Sequence, residues 1–131
     1  MQTKLVFLFA FLILGITTQA QTVEKDSINV ISIAEFEKIS YKKRNKVIDV
    51  RTPEEVAEGQ LAGSMNINFL GENFSQEIEA LNKNKTYLLY CRSGARTRKA
   101  ADQMQKAGFK KIYMLEGGIT AWNEAGKPIE K

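Results

Sequence analysis

The sequence predicts an α/β domain built on a mainly parallel sheet. Three observations carry that expectation. Short runs rich in aliphatic and aromatic residues recur along the chain, each about the length of a buried strand. Between them lie segments with helical apolar spacing, two of them opened by capping sequences. Glycines at 59, 108 and 126 stand where those segments would stop. Strands alternating with helices in this way give a parallel sheet whose ligands bind outside the carboxyl ends of the strands.

The elements follow in order. Ser32-Ile33-Ala34-Glu35 has the form of a capping box, and Phe36 and Ile39 continue an apolar face. Val47-Ile48-Asp49-Val50 reads as a buried strand, and Arg51 leads from it into Thr52-Pro53-Glu54-Glu55. That is a second capping box, with proline at the first helical position, where its missing N–H costs nothing. Ser64-Met65-Asn66-Ile67 reads as another strand. Residues 73–81 can form a helix with Phe74, Ile78 and Leu81 on one side. Thr86-Tyr87-Leu88-Leu89-Tyr90 is the clearest strand, and it runs straight into Cys91-Arg92-Ser93-Gly94-Ala95-Arg96. A helix is expected over residues 97–107, with Ala100, Ala101 and Met104 inward. Lys111-Ile112-Tyr113-Met114-Leu115 is the next strand, and Gly117-Gly118 turns the chain into a last helix carrying Ile119 and Trp122.

The 131 residues suffice for one domain, with no internal repeat and no Pro/Gly/Ser linker. Lys4 precedes an uncharged run from Leu5 to Ile16, and small and polar residues follow up to Ala20. A basic start, a short apolar stretch and a small-residue exit make a secretory signal peptide. A membrane span needs about 20 apolar residues, more than this run supplies. The expectation is therefore a cleaved leader over residues 1–20 and a single domain over 21–131, exported to the periplasm or secreted, with no stable membrane span after cleavage. The formal charge is +4, one unit of it from Lys4 in the leader. Lys42-Lys43-Arg44 and Lys46 form a basic patch without interleaved aromatics, which reads as a solvated turn and gives nucleic-acid binding little support.

The chain holds one cysteine and no histidine. No internal disulfide can form, and neither a Ser-His nor a Cys-His nucleophile pair is available. Cys91 lies between a strand and the start of a helix, where unpaired N–H groups and the helix dipole favour an anion. Arg92 and Arg96 lie on either side of Gly94, which permits a bend that turns successive N–H groups inward. Each effect lowers a thiol pKa, so a thiolate needs no imidazole base here. A lone cysteine after an apolar strand is often only a small buried hydrophobe, but such a residue needs no cations around it.

Cys91-Arg92-Ser93-Gly94-Ala95-Arg96 resembles the active-site loop of rhodanese-domain sulfurtransferases, and the resemblance continues in order along residues 28–130. Asp49-Val50-Arg51-Thr52-Pro53-Glu54-Glu55, residues 59–67, and Gly117-Gly118-Ile119-Thr120-Ala121-Trp122 match three further segments of that family. Gln60, where the family usually has histidine, and Ala62, where proline is frequent, depart from its pattern. The resemblance implies a five-stranded, mainly parallel sheet flanked by helices on both faces. It implies a thiosulfate sulfurtransferase in which Cys91 carries a persulfide between a small anionic donor, thiosulfate or polysulfide, and an acceptor. That acceptor would be cyanide or a thiol, such as that of a thioredoxin-like protein. Arg92 and Arg96 would bind the donor's sulfonate end. The amides of the loop, with Ser93, Gly94 and Ala95, would steady the persulfide, and Asp49 and Arg51 would brace the site. No metal or organic cofactor is implied.

Three rival functions were open to the same residues. A phosphatase or arsenate reductase of related fold uses Cys-x5-Arg, but the sixth residue after Cys91 is Thr97, with arginines at 96 and 98. A sulfur-carrier or redox interaction module with little turnover of its own would share the whole pattern. A thiol-disulfide oxidoreductase would need a second cysteine. Gly117-Gly118 is expected to allow tight backbone passage near the loop, and Trp122 to pack rather than to bind.

Overall fold

The computed structural model describes residues 27–131. The leader expected in residues 1–20, and the start of the mature chain near Gln21, lie outside them. In chain order the elements are β1 (Ser27–Ile31), α1 (Ile33–Ser40), β2 (Asn45–Asp49), α2 (Pro53–Ala57) and β3 (Met65–Asn66), then α3 (Phe74–Glu79), β4 (Thr86–Tyr90), α4 (Ala95–Lys106), β5 (Lys111–Leu115) and α5 (Gly118–Glu124). The five strands form one sheet in the order β1-β5-β4-β2-β3, every pairing parallel.

Two elements differ from the sequence-based expectation in ways that matter. β1 was not anticipated, because its alternating apolar residues Ile28 and Val30 sit beside an uncertain domain start; in the structure it pairs with β5 along its whole length. The helix expected at 97 begins at Ala95, which moves Ala95 and Arg96 from the loop into a helical first turn. The two capping sequences also part company. Thr52 and Glu55 form the full reciprocal box, whereas at Ser32 the bond that forms is the one from the Glu35 N–H to the serine hydroxyl, at 3.2 Å.

Strand periodicity distributes the core. Along β4, Tyr87 and Leu89 point to one face and Leu88 and Tyr90 to the other. The first face packs under α3 and α4 through Phe74, Ile78, Ala100, Ala101 and Met104. The second packs under α1 and α5 through Phe36, Ile119 and Trp122. Cys91 continues the alternation and joins the α4 side. Its sulfur is therefore aimed at that helix by the pleat of the strand before it.

After β2 the chain moves outward to β3, and after β4 it moves the other way to β5. The carboxyl ends of β2 and β4 thus flank a point where the winding reverses, the usual ligand position in open α/β sheets. A buried ion pair fixes that edge. Asp49, fully buried, accepts from Arg51 through Nη2 at 2.7 Å and Nε at 3.0 Å, and from the Arg51 backbone N–H at 3.0 Å. Arg51 Nη2 also donates to the Gly59 carbonyl at 2.7 Å, and its guanidinium lies 5.7 Å from the centroid of the Tyr90 ring. Burial opposes the charge on Arg51, but the bonds and attraction of Asp49 outweigh it and hold the guanidinium above its ordinary pKa. Asn66 donates to the carbonyls of both Asp49 and Arg51, at 2.9 and 2.8 Å.

Because both charges are buried, Arg51→Met strands a carboxylate without its partner. It is expected to cost about 3–5 kcal/mol, read as a lower urea midpoint at unchanged slope. A loss below about 1 kcal/mol, the range of exposed pairs, would mean that water already shares this pair.

Candidate active site

The loop after β4 is shaped from behind by the start of α5. The Ile119 N–H donates to the Cys91 carbonyl at 2.9 Å, and the Thr120 N–H donates to the Arg92 carbonyl at 3.1 Å. In a trans peptide the carbonyl and the next N–H point opposite ways. Tying the Arg92 carbonyl to α5 therefore turns the Ser93 N–H away from that helix. Gly94, at φ 123°, continues the bend in a backbone conformation that other residues rarely adopt, and its N–H donates to Cys91 Sγ at 3.0 Å. Gly118 lets α5 come this close, since a Cβ there would lie 2.7 Å from the Cys91 carbonyl oxygen and nearer still to that of Arg92. The passage expected of Gly117-Gly118 is of this kind.

Cys91 is 1% exposed. Burial pushes its thiol up, but the Thr97 hydroxyl and the amides of Thr97, Gly94 and Ser93 together favour the thiolate and bring the pKa below its ordinary value. Hydrogen bonds lead that activation, and of the loop arginines to which the sequence reading assigned part of it, Arg96 interacts with Cys91 through its charge. Thr97 was missed as a site residue. It is fully buried in the first turn of α4, and its hydroxyl has no conventional hydrogen-bond partner among the described residues; it stands beside the sulfur. The available signal was a single hydroxyl in the otherwise apolar stripe of Thr97, Ala100, Ala101 and Met104.

Arg92 and Arg96 are not equivalent. Arg96 is bound at two points by Glu55, Nη1 to Oε2 at 2.6 Å and Nη2 to Oε1 at 2.8 Å. Arg92 is 66% exposed and reaches the same carboxylate only at 3.8 Å. The Arg96 bond, with the donors of Thr52, holds the Glu55 carboxyl at about 2. Glu55, read from the sequence only as a helix cap, is thereby part of the site. Ser93 and Ala95 are exposed on the loop and the first turn of α4. Asp49 is the register partner of Tyr90, immediately before Cys91, so the pair with Arg51 lies one strand away and braces rather than faces the sulfur. Tyr90 extends the brace: its hydroxyl accepts the Leu61 N–H at 3.0 Å, and burial raises its pKa. Gln60 lies outside the loop, accepting the Ser64 hydroxyl at 3.2 Å, and its backbone pairs with Glu130. Among the described residues no three of His, Cys, Asp or Glu come together as a metal site.

The family model of the rhodanese-like domain matches residues 32–125. YtwF of Bacillus subtilis, a protein named as a sulfurtransferase, is 38% identical over 92 residues, which are 70% of this chain and 86% of that protein. The thiosulfate sulfurtransferase GlpE of Shewanella oneidensis is 26% identical over 95 residues, covering 72% of this chain and 92% of GlpE. Among solved structures, a rhodanese-related protein from Thermoplasma volcanium superposes with a TM-score of 0.69 at 30% identity, over 78% of this chain and 97% of that one. Sheet order, loop and sequence agree, and the chain belongs to the rhodanese-like domain family.

Proposed function

We propose that this protein is a sulfurtransferase that carries sulfane sulfur as a persulfide on Cys91, from thiosulfate or a polysulfide to a thiol acceptor such as that of a thioredoxin-like protein. The observation that carries the reading is the Cys91 sulfur itself, buried, met by the Gly94 N–H at 3.0 Å and favoured as an anion by the Thr97 hydroxyl. Such a cradle suits a sulfur anion better than a neutral thiol. The sulfurtransferases among its relatives support the reaction class.

With thiosulfate, the Cys91 thiolate attacks the outer sulfur. The new S–S bond forms as the old one breaks, sulfite leaves with its electron pair, and the persulfide anion stays in the loop. An acceptor thiolate then attacks the outer sulfur of the persulfide and regenerates the Cys91 thiolate. No net oxidation occurs, and no metal is needed to balance either step. A phosphatase reading is disfavoured because the sixth residue after Cys91 is Thr97, and because Arg98 lies 3.4 Å from Asp102 on the outer side of α4. The same proposal places the mature protein outside the cytoplasm, after removal of residues 1–20; the described helices include none long and apolar enough to cross a membrane.

The test is the intact mass of the mature protein before and after thiosulfate or polysulfide. A gain of one sulfur atom is expected, removed by cyanide and absent from Cys91→Ser. No gain from either donor, with a thiol inert to alkylation, would leave Cys91 a core residue. Thr97→Val tests the cradle separately. The folded thiolate persists as pH falls below the ordinary thiol value, and removing the hydroxyl raises the pKa again, so the alkylation curve moves to higher pH. At neutral pH alkylation is expected to slow by roughly ten- to hundredfold, the loss of one hydrogen bond to a charge. An unmoved curve would remove Thr97 from the site.

A further inference from the structure

We infer that Glu55 is a specificity-determining residue: by occupying Arg96 it shifts the loop's preference from the thiosulfate dianion toward singly charged sulfane donors, such as hydrodisulfide. This rests on the persulfide reading above and goes beyond it by naming the charge class of the donor.

The position of Glu55 is fixed before any donor arrives. Its backbone and side chain close the capping box of α2, with the Thr52 N–H donating to Oε2 at 3.0 Å and the Thr52 hydroxyl at 3.1 Å. A carboxylate already oriented by its own helix loses little freedom in binding a guanidinium. Arg96, in turn, sits in the first turn of α4, where the helix dipole disfavours a cation, so the partner it has is one it needs. Both side chains are about four-fifths buried, which leaves the pair poorly screened by salt. Glu55 stays ionised down to about pH 2, so the pair is present throughout any working range.

The consequence is a count of charges around the sulfur. Two guanidiniums and one carboxylate leave a single net positive charge, and the Cys91 thiolate cancels it. Without Glu55 the site would keep one net positive charge, which a dianion feels twice as strongly as a monoanion; the carboxylate removes that advantage. With hydrodisulfide the thiolate takes one sulfur, the S–S bond of the donor breaks, and hydrosulfide leaves with the electron pair. The charge to be accommodated is half that of thiosulfate.

Glu55→Gln removes the charge while keeping an amide that can still cap α2. The readout is the rate at which Cys91 gains sulfur, by intact mass, from thiosulfate and from hydrodisulfide. Electrostatic energy scales with donor charge, so a roughly tenfold gain with thiosulfate should accompany only about a threefold gain with hydrodisulfide. The wild type supplies an independent measurement, which holds even if the variant folds poorly. Its loading by thiosulfate should be nearly flat with ionic strength, as for a neutral site. If both donors change by the same factor, or if wild-type loading by thiosulfate falls steeply with salt, the role of Glu55 is overturned while the persulfide stands. If the wild type gains no sulfur from either donor, the persulfide reading falls and this inference with it.

Discussion

The loop's amides can face the sulfur because its carbonyls face a helix. Each peptide unit presents its two polar ends in opposite directions, so an anion cradle made of N–H groups must dispose of a carbonyl for each one. Here α5 takes two of them, through the Ile119 and Thr120 N–H groups, which as first-turn amides have no partner inside their own helix. One helix start is consumed to orient the loop, and a second, that of α4, lies toward the sulfur. Glycine at 118 is what lets the two backbones approach this closely.

The rest of the edge keeps that arrangement in register. β4 delivers Tyr90 to one face and Cys91 to the other. Tyr90 is held by Leu61 and lies against Arg51, which is tied to Asp49 and to Gly59. Gly59 meets the C-terminal tail, because a Cβ there would lie 2.7 Å from Ile129 Cδ1. Adjacent residues, the last of the strand and the first beyond it, thus serve separate ends: one anchors the neighbouring loops, and the next holds the reactive atom.

Much of this was legible in the sequence. β4 and β5 stand where their aliphatic and aromatic runs put them, and Gly94, Gly117 and Gly118 fill the backbone roles expected of them. What escaped depended on contacts between residues far apart in the chain. Glu55 satisfies a local rule completely as a helix cap, so nothing in its neighbourhood signals that it also binds Arg96, 41 residues away. Thr97 looked like one more position in a helix. Its importance comes from where α4 begins, two residues earlier than expected, and from the burial of the first turn. β1 escaped for another reason: a five-residue edge strand carries little pattern, and it takes its identity from β5, which becomes available only 80 residues later.

The burial of Cys91 bears on how a solitary thiol fares among oxidants. A disulfide requires two α-carbons within about 7 Å of one another, a separation that two folded copies cannot reach while each sulfur lies beneath its own loop at 1% exposure. Covalent pairing of one molecule with another is therefore obstructed by shape. The fold shields its single cysteine from its own kind by burial rather than by pairing.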